Sequence, residues 1–446
     1  MIAVLLMAAA ALPEVTECQG VTQDPAATIA FSTGLQGFIY GYPVVDMLKQ
    51  MHNETHRVNA DQPVVAPINQ IVPYPHILTP DTQGQLRAPN ADTLYLNAWV
   101  DLSKGPVLLD VPAMGARYYT LAFMDLFAKP HHLGTRTNGG KPMKYSLVGP
   151  AGGTVPEGYE AFPLPTDTAW MLGRILADGK ADEARASMIA KSFRMVSPST
   201  GAVETAEPIR PYDSLQYFTL LNGALHNLKL PADEAALADT FNAAGFGPAV
   251  AFDAAKLTPA QRLGLGCAVR LGPGVLAKQG FRPTHMANGW MRNSKIADPG
   301  HDYLLRAESV RGGYVNAQEE AIYPAAIMDN RGEMLTGKRS YRIRFAAGKL
   351  PPVDAFWSVT AYDLATAKLV PNSIGRYQFG DRTKGAKYGK DGSLTIALSA
   401  TQPKEGKSNW LPVPAGPFHL VTRMYLPRAE ALDGRYVLPP VERIDQ

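Results

Sequence analysis

The 446-residue sequence has no excess of charge of either sign. Its 43 Lys and Arg stand against 40 Asp and Glu, a formal net charge of +3, and no run of five basic residues occurs. Nucleic acid is therefore not expected as a partner, because it requires a basic face. Cysteine is nearly missing: only Cys18 and Cys267 are present, and neither sits in a reactive motif. The two could pair in an oxidising compartment, but no spacing rule brings them together, and Cys267 lies in an apolar helical stretch that reads as core. Long hydrophobic runs are missing too. Met1 to Leu12 is apolar but too short to span a bilayer, and no later run reaches that length, so no membrane span is expected. That first stretch resembles the apolar part of a secretory signal, with Ala8 to Ala11 near a cleavage point, although the positive residues that usually precede it are absent. The expectation is a signal segment over residues 1–20 and a soluble periplasmic or secreted product.

Familiar catalytic signatures are also missing. There is no Gly-x-Ser-x-Gly elbow and no Ser-x-x-Lys pair. Gly332 to Lys338 is one residue short of a phosphate loop, and Arg339 stands where a Ser or Thr would hold magnesium. A strand pattern, Tyr341 to Phe345, follows where that loop needs a helix. Gly272, Gly274 and Ala277 match a loosened dinucleotide pattern by chance, since no strand precedes them. His52 and His56 are four apart, but Asn53 occupies the place where the zinc-protease motif needs Glu.

What is present is an ordinary globular composition, 46% hydrophobic and 19% charged, with 37 prolines and 40 glycines spread along the chain. That spread suits many short strands joined by turns. Asp24 to His56 has helical periodicity with a bend at Pro43. Strand patterns follow: Leu94 to Trp99, Val107 to Val111, Tyr118 to Phe127, Tyr145 to Val148 and Ala169 to Leu176. Their spacing predicts an antiparallel sandwich. Helical patterns occupy the middle: Ala181 to Ala190, a helix capped by Asp213 or Ser214, Pro231 to Asn242, Thr258 to Val269, and an amphipathic stretch from His301 to Ala321. Strands return at Tyr341 to Phe345, Ala355 to Ala361, Leu394 to Leu398 and Phe418 to Tyr425. The fold class read from these patterns is mainly β with a helical middle region. The division is a leading helix and β domain over 21–180, helices over 181–322 and a second β domain over 323–446.

Two groups of motifs carry a family resemblance. PNADTLYLNAWVDL, GPVLLDVP and RYYTLAFMD resemble the domain of unknown function 1254. IYPAAIMDNRGEMLTGKRSYRIRF, LPPVDAFWSVTAYD and GKSNWLPVPAGPFHLVTRMYLP resemble its usual partner, the domain of unknown function 1214. The resemblance implies an N-terminal immunoglobulin-like sandwich plus a C-terminal jelly-roll-like sandwich. It implies no activity, and no catalytic residue can be carried over.

Polar and aromatic groups crowd the stretch from Pro89 to Pro130. Asp92, Asp110 and Asp125 lie on or beside successive strands, where two carboxylates could approach as an acid/base pair. Asp125 is followed by His131 and His132, which point to opposite faces if they lie on a strand, so only one of them can join it as a base. Arg117 offers a planar fork for a carboxylate or phosphate, with a structural ion pair to Asp92 or Asp125 as the competing reading. The candidate catalytic residues are Asp92, Asp125 and His131. The candidate substrate-binding residues are Tyr95, Arg117, Tyr118, Trp357, Tyr362 and Arg423. Asn372, Arg376, Asn409 and Trp410 also stand out in the second β domain, while Trp357 and Trp410 equally suit a sandwich core.

These residues suggest an exported enzyme, a hydrolase or lyase, acting on a small polar or amphipathic substrate between two β domains. The alternative is a non-catalytic periplasmic protein that holds a small molecule or glycan against Trp357, Trp410 and Tyr362. A jelly-roll oxygenase would need two histidines and a carboxylate, and His419 is the only histidine after His301. Neither a cofactor nor a metal can be named from the sequence, and a homo-oligomer is compatible with it.

Overall fold

In the computed structural model, residues 12–445 are described apart from 61, 63, 85, 280 and 281. The strand Thr93–Asp101 shows how the first β domain is built. Leu94, Leu96, Ala98 and Val100 point into one hydrophobic core, while Tyr95 and Trp99 point into another. Both faces are buried, which is why the alternation in sequence is between aliphatic and aromatic or amide residues rather than between apolar and charged ones. This strand pairs with Thr168–Leu176 over nine residues, Tyr95 opposite Arg174. The five-stranded sheet runs in the order Val72–Pro73, Thr93–Asp101, Thr168–Leu176, Tyr119–Met124, Pro130–Gly134. A four-stranded sheet of Glu160–Pro163, Met143–Val148, Val107–Val111 and Arg194–Val196 closes the first sandwich.

The second sandwich joins a seven-stranded sheet, centred on Val353–Asp363 and Phe418–Pro427, to a four-stranded sheet centred on Ser340–Phe345 and Leu394–Ser399. Trp357, Val359, Leu420 and Met424 fill the core between them. Among the described strands pairing is antiparallel except that Met143–Val148 lies parallel to Glu160–Pro163, and Leu394–Ser399 parallel to Trp410–Pro412. The protein is thus two β sandwiches with helices, mainly β as the sequence patterns indicate, although not all of its pairings are antiparallel.

Helices form a third layer, built around Pro25–Thr55. Pro25–Thr55 starts with Asp24 accepting from the Ala26 amide at 2.8 Å, and Pro25 at the first turn needs no amide partner. It packs along Pro259–Gln279, and a Cβ on Gly34 would sit 2.8 Å from Leu265, so the close approach needs glycine there. Pro259–Gln279 runs ten residues beyond the predicted end at Val269, through Pro273. Burial of Leu276 in the helical core beyond the proline offsets the lost backbone bond. The stretch predicted from His301 to Ala321 is helical only over Tyr303–Arg311. Gly313 at φ +117° and Tyr314 at φ +58° end it, a conformation that costs glycine little and breaks a helix.

Cys18 is disulfide-bonded to Cys267, with their Cα atoms 5.6 Å apart, the pairing that the sequence left open, and Cys267 is buried in a small core as its apolar helix suggests. The residues predicted as a signal divide accordingly. Residues 1–11 lie outside the described residues, while Leu12 is buried and Val15–Cys18 forms a short helix against Pro259–Gln279. Residues 12–20 are part of the fold. Among the described residues no helix is long and apolar enough to cross a membrane.

The outer faces of the two large sheets meet at a seam beside the helical layer. Ser358 donates to the Asp92 carboxylate at 2.7 Å, Tyr118 to Glu320 at 2.7 Å and Tyr362 to the Pro89 carbonyl at 2.6 Å. Arg382 forms a two-point ion pair with Asp178 across the same seam.

Candidate functional site

Strand alternation places the site. On Thr168–Leu176, Met171 and Ile175 go into the first sandwich, so Trp170, Leu172 and Arg174 face outward. On Phe418–Pro427, Leu420 and Met424 go into the second sandwich, so Val421, Arg423 and Tyr425 face outward. These outward residues meet around one cavity of about 170 Å³. Tyr95, Asn90 and Tyr323 complete its floor, and Arg87, Tyr314 and the Gly312–Gly313 turn form its rim.

Two arginines from different sandwiches therefore look into one hollow, and both are buried, at 7% and 4% exposure. Arg174 donates from Nη1 to Asn316 Oδ1 at 3.0 Å and to the Leu172 carbonyl at 3.3 Å. Arg423 donates to Thr360 Oγ1 at 3.2 Å and to the Ala88 carbonyl at 2.7 Å. Every one of these acceptors is neutral. Among the described residues neither guanidinium has a carboxylate oxygen within 4.0 Å, and Arg174 Nε and Nη2 and Arg423 Nε have no protein acceptor. Each cation is supported by an aromatic ring instead, Arg174 over Tyr95 and Arg423 over Tyr362, both at 5.5 Å. A buried charge without a counter-ion is costly, so this pair is an unfinished electrostatic arrangement.

The tyrosines add donors. Tyr95 Oη accepts from the Asn90 amide nitrogen at 3.1 Å and from Asn90 Nδ2 at 2.9 Å, which leaves its own proton free to donate. Burial, and then the Asp92 carboxylate, hold the Tyr425 phenol well above its ordinary range, so it stays protonated. Asp92 is buried at the back of the site. Burial pushes its pKa above the usual carboxylate range, and the nearby Arg423 and the Ser358 hydroxyl oppose that rise. Burial also weighs against the charge on Arg423, but the Tyr362 and Tyr425 oxygens and Asp92 outweigh it, so this cation persists. Among the described residues no Asp, Glu, His, Ser, Thr, Cys or Lys lines the cavity.

The predicted site residues fall into three groups. Tyr95 and Arg423 line the hollow; Tyr362 supports Arg423, and Asp92 lies behind it. Tyr118 is in the seam on Glu320, and Trp357 is in the core of the second sandwich. Arg117, Asp125 and His131 are elsewhere. Arg117 makes a two-point pair with Asp182 at 2.5 and 2.8 Å, and this bond draws the Asp182 carboxyl down to about 2. Asp125 caps a turn, accepting from the Phe127 and Lys129 amides at 2.9 and 3.1 Å, and holds His131 at 3.1 Å. That turn separates Tyr119–Met124 from Pro130–Gly134, and the two histidines lie on the second of these strands. His132 points the other way, between Thr120 and the Ala317 amide. Arg376 ties the Asn409–Trp410 corner through three carbonyls. Among the described residues no three histidine, cysteine or acidic side chains come together as a metal site.

Arg174, Tyr323, Tyr425 and Asn316 were not anticipated. The one available signal was Arg174 itself, a lone cation in the apolar run AWMLGRIL.

Residues 68–197 match the model of the protein of unknown function DUF1254, and residues 320–429 that of the protein of unknown function DUF1214. No curated protein matches. The chain is similar to the crystal structure of the VPA0106 protein from Vibrio parahaemolyticus, at 24% identity and a TM-score of 0.69, covering 93% of this chain and 100% of that one. It is also similar to an uncharacterised protein from Burkholderia cenocepacia, at 14% identity and a TM-score of 0.45, covering 96% of each chain. The Vibrio match shows a shared fold.

Proposed function

Because the chain belongs to the two-domain family that joins a DUF1254 segment to a DUF1214 segment, and neither segment brings an assigned activity, we propose a function from the crevice itself: the protein binds a small organic anion between its two sandwiches. The observation that carries this reading is the pair Arg174 and Arg423, buried on one cavity with only neutral hydrogen-bond partners. A carboxylate entering the hollow would take the free nitrogens in charge-assisted bonds, the stronger kind, and Trp170 and the tyrosines would cover its apolar body.

Binding comes before turnover in this reading. A hydrolase needs a nucleophile or a base close to the substrate, and the lining offers guanidiniums, phenols, an indole and two amides. A lyase would need a phenolate, and burial keeps the Tyr425 phenol protonated. The cavity of about 170 Å³ is below the roughly 300 Å³ of a drug-sized site, which favours a compact ligand over a glycan. We further propose that the protein is exported, since the Cys18–Cys267 disulfide suits an oxidising compartment.

A thermal-shift panel tests the reading. Small carboxylates should raise the melting temperature, amides and alcohols of the same shape should not, and the shift should vanish in Arg174→Gln and Arg423→Gln. Equal shifts from neutral analogues, or shifts kept in both variants, would remove the proposal.

A further inference from the structure

We propose that the ligand is a compact dianion, two acidic groups on one planar ring, with a benzene dicarboxylate as the chemical class. This inference rests on the anion-binding reading above and adds charge count, shape and size to it.

Charge is the first argument. Among the described residues three cations line the hollow, Arg87, Arg174 and Arg423, and no acid does. Arg87 has Asp46 at 3.8 Å, so it is already balanced. Arg174 and Arg423 are not. Asp92 accepts from Ser358 at 2.7 Å and lies beyond 4.0 Å of Arg423, so it offsets that cation only from a distance and not as an ion pair. Two uncompensated cations are satisfied by two negative charges, and a single carboxylate would leave one guanidinium buried and unpaired.

Placement is the second argument. The two guanidiniums come from different sheets, one opposite Tyr95 in its ladder and the other opposite Ser358. Their anchors differ as well. Asn316 and the Leu172 carbonyl hold Arg174, and Thr360 and the Ala88 carbonyl hold Arg423. Each cation is thus tied to its own wall, so two acids on one rigid body match the site better than one acid shared between the walls.

Shape and size give the third. Trp170 and Tyr314 meet edge to face at 5.0 Å on the cavity wall, and Tyr95, Tyr323 and Tyr425 supply further rings. Aromatic walls favour an aromatic guest in offset or edge contact. A cavity of about 150 Å³ accepts benzene, and this one is about 170 Å³. One ring with small substituents fits, and a fused polycycle does not.

Calorimetric titration of the full-length, disulfide-intact protein separates the outcomes. The probes are the ortho, meta and para benzene dicarboxylates, the monoamide of each, and benzoate. Each monoamide keeps the shape of its parent and removes one charge. At least one dicarboxylate should bind tenfold or more tightly than its own monoamide, and that preference should disappear in Arg423→Gln. A monoamide or benzoate that binds as tightly as every dicarboxylate would overturn the dianion while leaving the anion-binding reading intact. No binding by any probe, with small aliphatic carboxylates still raising the melting temperature, would overturn the ring. Silence from every carboxylate would end both.

Discussion

Arg174 donates to Asn316 Oδ1 at 3.0 Å, and Asn316 Nδ2 is buried with no acceptor. The bond fixes which way the amide faces, because a guanidinium cannot meet an amide N–H. Asn316→Asp therefore replaces a neutral acceptor with a carboxylate against a buried cation and sacrifices no existing bond. Stability should hold or rise by about 1–2 kcal/mol, while affinity for small anions falls at least about tenfold, because the site then contains its own counter-ion. Chemical denaturation and anion titration on the same variant check both halves.

The Cys18–Cys267 bond spans 249 residues of sequence and ties the segment before the long helix to Pro259–Gln279. Replacing both cysteines with serine should cost about 3 kcal/mol, read as a lower first melting transition that reductant no longer shifts. The mature protein should retain Cys18, so the N-terminal peptide of material purified from the producing cell should contain it. A mature chain beginning after residue 20 would contradict this account of the helical layer.

His132 supplies a pH dependence. The Ala317 amide donates to its Nε2 at 3.1 Å, and Nδ1 lies 3.0 Å from Thr120 Oγ1. The ring is therefore neutral, with its proton on Nδ1. Burial, then Arg174, Arg136 and His131, lower its pKa from 6.5 to about 3. The folded state binds fewer protons than the unfolded chain between these values, so stability is full above about pH 6.5 and is lost as pH falls toward 3, at about 1.4 kcal/mol per pH unit. His132→Gln should flatten the stability curve between pH 6 and about 4.5. Below that range carboxylates such as Asp182 add a loss of the same sign.

Arg117→Ala and Asp125→Ala separate structure from binding. The first breaks a half-buried two-point pair and should cost about 2 kcal/mol. The second removes the acceptor of a tight turn and should cost about 1 kcal/mol. Neither should change anion affinity, because neither residue touches the cavity. A tenfold loss of affinity in either variant, without loss of fold, would place the site elsewhere.

The strands were legible because their alternation survives burial. Leu94, Leu96 and Ala98 against Tyr95, Asn97 and Trp99 reads as a strand whichever face meets solvent. The same double burial obscured the site. It filled Pro89 to Pro130 with polar groups that mostly serve other ends: Asp125 a turn, Arg117 an ion pair, Tyr118 the seam. Arg423 was legible as a cation among aromatics in a strand. Arg174 was not, because its partner in the site lies 249 positions away, and pairing across domains leaves no local spacing to read. The disulfide was hidden for the same reason. The helix expected to reach Ala321 stops at Arg311 because Tyr314 adopts a left-handed backbone that its residue type does not announce.

The measurement closest to the central claim locates the anion itself. Crystals soaked in a bromine-substituted benzoate and measured at the bromine absorption edge report where the ring sits. The account predicts an anomalous peak inside the cavity walled by Trp170 and Tyr425, with the carboxylate within hydrogen-bond distance of Arg174 or Arg423. Bromine bound at full occupancy elsewhere, with the crevice holding no anion, would contradict it.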